Sequence, residues 1–257
     1  MRTRSCPVII VVLLMASAGF TADPRAENAS RLYESGSYAA ARDIYTEMAQ
    51  EGGESGALYY NIGNCYLKEG GGIGKALFYF EMAKRLIPRD TALLINLRYA
   101  RSLTRQVETA PAESLPSRLL RGAFDRFSLK EAFGLWISFL FLLSVLLVMA
   151  IFMGRNRALF VAAAILVTSV LILMLIPLRS KMEDEEKGGV IVSAVNARLE
   201  PFMDAGVKYE AYEGALVKVL KSTKEWHKIK NRDGKVGWIP KESLWPIRSQ
   251  AVSRKPR

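Results

Sequence analysis

One histidine, His227, and two cysteines, Cys6 and Cys65, occur in the 257 residues. That leaves no material for a cysteine or histidine metal cluster, and Cys6 falls in a leader-like segment expected to be removed. Cys65 alone then excludes an internal disulfide framework; within a helix it reads as a small buried hydrophobe. His227 has no Ser or Cys nucleophile and no acidic partner patterned with it, so it reads as an outward strand residue beside an inward Trp226. The sequence also lacks HExxH, a Walker A loop, GxSxG and the dinucleotide glycine pattern. No catalytic residue, metal or cofactor is expected.

Charge is missing altogether from two long stretches, 133–153 and 158–178, each 21 residues long. At about 1.5 Å per residue each covers the roughly 30 Å of a hydrocarbon core, which predicts two transmembrane helices. Only Gly154, Arg155, Asn156 and Arg157 separate them, so a tight hairpin is expected. The N-terminus carries Arg2 and Arg4, an apolar run from Val8 to Met15 and the small residues Ala16, Ser17 and Ala18. This order predicts a signal peptide over 1–18, with Ala22 as the alternative cut. An exported N-terminus and two crossings return the C-terminus to the exported side, leaving Arg155 and Arg157 in the cytoplasm. The expected location is the bacterial inner membrane, with the soluble parts on the periplasmic side. Before the first span, Leu120, Phe124 and Phe127 recur at helical spacing within a linker, 104–132, that contains a juxtamembrane amphipathic segment. Ser128 and Glu131 have the spacing of a capping box that starts the spanning helix.

The formal charge of +11 comes from 36 basic and 25 acidic residues. The excess gathers in the last third, in Lys218, Lys221, Lys224, Lys228, Lys230, Arg232, Lys235 and Lys241, and in a basic tail, 248–257. It does not centre on a recognition helix. A basic surface facing anionic headgroups or wall polymer accounts for it without nucleic acid.

Residues 23–103 are helical in pattern and self-similar. Ala29 and Gly63 lie 34 apart; Ala41, Tyr45 and Met48 are followed 35 later by Ala76, Phe80 and Ala83, the extra residue falling in Gly70–Gly72. In the second copy Tyr59, Gly63, Tyr66, Ala76, Phe80, Ala83 and Pro88 give small residues where paired helices approach closely, aromatics beside them and a proline that ends the second helix. This set resembles the tetratricopeptide (TPR) repeat, and a third helix from Thr91 is expected to cap the stack. Tyr60, Asn64 and Leu67 share a different face of the first helix of that copy. In TPR proteins such a face lines the concave side, and the capping helix is expected to add Arg98 and Arg101, forming a partner-binding groove suited to a carboxylate.

After a charged spacer at 182–189 the period changes to that of strands. Asp233 and Gly234 mark a hairpin. Gly214, Val217, Val219, Trp226, Ile229, Gly237, Trp238, Ile239, Pro240 and Leu244 resemble, in order, a bacterial SH3-like domain over 190–247, with Trp226, Gly237, Trp238 and Pro240 expected in its core. Asn196 to Pro201 lacks the glycine usual in the ligand loop of that family. The predicted protein is therefore a multidomain membrane chain: all-α TPR repeats, a two-helix transmembrane hairpin and a small all-β SH3-like barrel.

This order of parts, with Tyr60 to Asn64 and Ile73 to Ala76 as the most telling text, resembles the BatE family of aerotolerance-operon membrane proteins. The resemblance implies a scaffold for protein–protein interaction within a stress-tolerance complex, with von Willebrand A-domain membrane proteins and a MoxR-type ATPase as partners. The alternative expectation is a module that binds peptidoglycan through the basic SH3-like domain.

Overall fold

The computed structural model describes residues 23–52, 54–104, 122, 126–152 and 157–247. The expected signal peptide, most of the linker and its amphipathic segment, the hairpin turn at 153–156 and the basic tail lie outside the described residues.

Five helices come first: α1 (Pro24–Glu34), α2 (Tyr38–Gly52), α3 (Gly56–Glu69), α4 (Ile73–Leu86) and α5 (Thr91–Ser102). Their ends are written locally. Asp23 caps α1 by accepting from the Arg25 backbone N–H, with Pro24 at the first helical position. Ser55 and Asp90 cap α3 and α5 by accepting from the Leu58 and Leu93 N–H groups. Gly70 ends α3 at a φ of 76°, a left-handed conformation that a side chain would strain. Each helix packs on the next, with α4 between α3 and α5. Tyr59, Gly63, Ala76, Phe80, Ala83 and Pro88 are buried along this stack and Tyr66 is half-buried. A Cβ on Gly63 would lie 2.7 Å from the Phe80 ring, so this crossing requires glycine.

Two further helices, α6 (Leu129–Phe152) and α7 (Arg157–Lys187), pack on each other and are long and apolar enough to cross a membrane. Their apolar windows are only 6 % and 17 % buried, which sets them apart from the core helices of a soluble domain. Ser128 and Glu131 start α6 with reciprocal bonds: the Ser128 N–H donates to Glu131 Oε2 at 2.8 Å, and the Glu131 N–H donates to Ser128 Oγ at 3.3 Å. Arg89, in the turn before α5, pairs with Glu131 and lies 5.6 Å from the Phe127 ring centroid, so the helical stack is tied to the first turn of α6.

Helix α7 runs on through Lys187, making the expected charged spacer mostly helix, and β1 (Gly188–Ile191) follows directly. Strands β2 (Val195–Arg198), β3 (Val207–Ala211), β4 (Leu216–Ser222), β5 (Trp226–Asn231), β6 (Val236–Pro240) and β7 (Leu244–Pro246) complete one antiparallel sheet, ordered β3-β2-β6-β5-β4-β1-β7. Its core is Ile191, Ala197, Ala211, Ala215, Val217, Ile229, Ile239 and Leu244.

The barrel is not a separate bead. Val190 and Ile247 are buried in the same apolar cluster as the helical stack, with Leu216 and Trp245 packed against it. Helix α4 accounts for this. Gly74, Ala76, Leu77, Phe78, Tyr79, Phe80, Met82 and Ala83 are all buried, more than one helix face can supply, and α4 packs against α3, α5 and β1.

Candidate interaction surfaces

Three surfaces carry the polar and aromatic chemistry. The first lies on α1, α2, α3 and α5. Leu93, Leu97 and Ala100 form the buried stripe of α5, and Asn96 flanks it toward α3. Its Nδ2 donates to Tyr60 Oη at 3.0 Å and to Asn64 Oδ1 at 2.8 Å. Beside this pair a cleft of about 110 Å³ is lined by Ser30, Tyr33, Glu34, Tyr45, Asn61 and Asn64. Ser30 Oγ and Tyr45 Oη are 3.0 Å apart there, and partial burial raises the Tyr33 hydroxyl pKa. The groove is thus built mainly of amides and hydroxyls, with Glu34 as the charged member of its lining.

The expected pair of arginines does not join it. Arg101 flanks the buried stripe on the opposite side, toward α4, where it forms an ion pair with Glu81. Arg98 is exposed, and Leu67 packs against the apolar cluster of the stack. Of the five expected groove residues, Tyr60 and Asn64 come together, through an asparagine that the repeat spacing did not single out. Asn96 was legible only from the buried stripe of α5: the residue next to Leu97 on the α3 side faces Asn64, whereas counting one period from Asn64 lands on Arg98.

The second surface is the junction of α4 with the barrel. The Gly74 N–H donates to Glu213 Oε1 at 2.8 Å. A Cβ on Gly74 would sit 2.6 Å from the Ile191 carbonyl oxygen and 2.8 Å from Val192 Cα, so only glycine lets the two backbones meet. Trp245 stands edge-on to Phe78 and Tyr79, at centroid separations of 5.3 and 6.2 Å, with Lys75 Nζ 5.8 Å from its ring. Farther along, Gly214 turns at a φ of 83° close against Leu77 and Thr104. Glu81, Arg101 and Arg232 meet at that end. Burial opposes the Glu81 charge, but Arg101 and Lys84 outweigh it and hold the carboxyl below its ordinary range. The side chains of Glu81 and Arg101 are 12 % and 28 % exposed, so this ion pair is largely enclosed.

The third surface is the outer face of the sheet, where residues directly opposite each other share a side. Arg198 pairs with Trp238, Trp238 with Lys228 and Lys228 with Lys221, a row crossing β2, β6, β5 and β4. Lys218 lies opposite Lys230 in the same ladder. Trp238 is therefore not in the core; it is half-buried with Lys228 Nζ 5.8 Å from its ring centroid. Pro240 is half-buried on the same face, opposite Trp226, which is itself buried there and not among the inward residues. His227 shares the Ile239 side and bonds through Nδ1 to Ser222 Oγ at 2.8 Å. By register Trp226 and His227 take the sides opposite to those expected, because Ile229 and Ile239 fix which side is inward, yet Trp226 is buried as expected and His227 is the more exposed of the two. Gly237 is inward and packed; a Cβ there would lie 2.9 Å from that of Ala197.

Cys65 is buried among the helices, and burial pushes its thiol up to about 12, so it is protonated and unreactive in the folded chain. Among the described residues no group of three or more His, Cys, Asp or Glu is placed to hold a metal ion.

Residues 192–246 match the family model of the bacterial SH3 domain. No curated protein and no solved structure matches the chain. The C-terminal sheet is thus similar to a generic module for binding protein or cell wall, built onto a helical stack and two apolar helices.

Proposed function

We propose that the chain is a membrane-anchored scaffold for protein–protein interaction, with its TPR-like stack and SH3-like barrel on the exported side of the bacterial inner membrane. The observation that carries this reading is the cleft lined by Ser30, Tyr33, Tyr45, Asn61 and Asn64, beside which Asn96 bonds Tyr60 and Asn64. It presents amide and hydroxyl groups on a side of the stack away from the junction of α4 with the barrel. Such a surface suits the backbone of an extended polypeptide segment, since amide side chains both donate and accept. Resemblance to the BatE family supplies the wider expectation: a subunit of an aerotolerance or stress-tolerance complex, with von Willebrand A-domain membrane proteins and a MoxR-type ATPase system as partners. Recovery of partners in mild detergent, identified by mass spectrometry, tests it with Asn64→Ala/Asn96→Ala against the parent chain. The scaffold reading expects specific proteins to be lost from the variant while helicity stays intact; equal recovery contradicts it.

A second reading, peptidoglycan binding, is favoured by the half-buried Trp238 between Arg198 and Lys228, since an aromatic ring flanked by cations suits an anionic glycan. Retention of the full chain on isolated sacculi, and its loss in Trp238→Ala, tests that reading.

A further inference from the structure

Strand β4, which carries Lys218 and Lys221, runs back toward the membrane helices. The last residue of the uncharged stretch is Leu178, and α7 continues 9 residues beyond it to Lys187, a rise of roughly 13 Å at helical pitch. The chain then enters β1 without a linker, and Gly188 lies opposite Lys218 of β4. Because β4 is antiparallel to β1, its remaining residues pass back beside the last turns of α7, which packs against β4. The rest of that strand and half of the following turn return roughly 16 Å at about 3.3 Å per residue. The turn between β4 and β5 therefore returns to the level of Leu178, within about one residue's rise along a strand. That is the depth of the headgroup layer, which extends about 5–8 Å beyond the hydrocarbon.

That end of the barrel is basic. Lys221 and Lys224 are exposed and Lys228 is half-buried. Exposed Lys241 is held to the turn through its N–H, which donates to the Glu225 carbonyl at 2.9 Å. Glu225 and Glu242 are acidic groups at the same end. Leu220, the residue at the register shift of β4, is half exposed among these cations. Lysines around an exposed apolar side chain, at headgroup depth, have the character of an interfacial contact.

We infer that the β4–β5 end of the barrel, through Lys221, Lys224 and Lys228, rests on the anionic phosphate headgroups of the bilayer that holds α6 and α7. The inference rests on those two helices spanning the membrane. Contact with the bilayer fixes the height and tilt of the barrel, and through Trp245 and Gly74 it orients the helical stack and its groove.

The test uses the full chain in nanodiscs, with a fluorophore at Glu225→Cys and, as the far-end control, at Lys235→Cys beside the β5–β6 hairpin. Cys6 is replaced by Ser, and Cys65 is buried and stays unlabelled. A paramagnetic quencher is carried on the lipid headgroups. In nanodiscs containing phosphatidylglycerol, quenching at 225 is expected to exceed that at 235 several-fold. It is expected to fall toward the control in all-phosphatidylcholine discs and in the Lys221→Gln/Lys224→Gln/Lys228→Gln variant. Equal quenching at the two sites, or no dependence on lipid charge, overturns the inference. Lysine-dependent retention on sacculi with no lipid effect also overturns it, assigning these lysines to wall polymer. A chain that fails to enter nanodiscs at all contradicts the spanning reading itself.

Discussion

The backbone N–H of Gly74 donates to the Glu213 carboxylate across 139 residues of sequence, at 2.8 Å. This bond joins the first turn of α4 to the loop before β4, where the Ile191 carbonyl leaves no room for a Cβ. Gly74→Val is therefore expected to push the barrel off α4. Overpacking of this kind costs about 1–3 kcal/mol. Hydrogen exchange checks it: amides of α4 and β1 should lose protection together, while β5 and β6 stay protected. Unchanged exchange in α4 would contradict the docked arrangement.

Trp238 and Ile239 are neighbours with opposite roles. Ile239 is fully buried and Trp238 is half-buried beside Lys228. Ile239→Ala should cost about 2–5 kcal/mol, the range for deleting a buried aliphatic side chain. Trp238→Ala should cost clearly less despite removing more atoms. Chemical denaturation of the full chain in detergent ranks the two, and the reverse order would place Trp238 in the core.

Glu81 links stability to pH. Burial pushes its carboxyl up, but Arg101 and Lys84 more than offset this and hold the folded pKa below the ordinary value of 4.5. A carboxyl depressed in the folded state contributes stability that is full above its unfolded pKa and is lost as pH falls through the folded value. The contribution of Glu81 should thus be complete above about pH 4.5 and disappear in more acidic solution. Glu81→Gln should flatten this acid limb of a melting-temperature profile. Arg101→Ala should be the harsher change at neutral pH, by roughly 1–3 kcal/mol, since it leaves an enclosed carboxylate without its closest partner.

The parts of this chain were legible in sequence where each is periodic or chemically marked. Helical spacing gave the stack, uncharged runs gave α6 and α7, and the Ser128–Glu131 spacing gave the start of α6. Docking was not legible, because it depends on two segments far apart in the chain. The signal was there in Leu77, Phe78, Tyr79 and Phe80, four bulky apolar residues in succession, which is more than one helix face can use. Trp226 is buried as expected, whereas Trp238 is not. The SH3-like resemblance implies a core Trp238, yet the inward positions belong to Ile229, Ile239 and Ala197, and the Trp238 ring lies on the outer face. Arg101 misled because helical spacing fixes the face of a residue but not which neighbour that face meets.

Membrane topology decides between an exported and a cytoplasmic scaffold. A reporter active only outside the cytoplasm should work when fused after Leu103 and after Arg257, and fail when placed at Arg155. That pattern puts the stack and the barrel on one exported side, as their docking through α4 requires. Activity at Arg155 with silence after Leu103 and Arg257 would place both modules in the cytoplasm and contradict an exported scaffold.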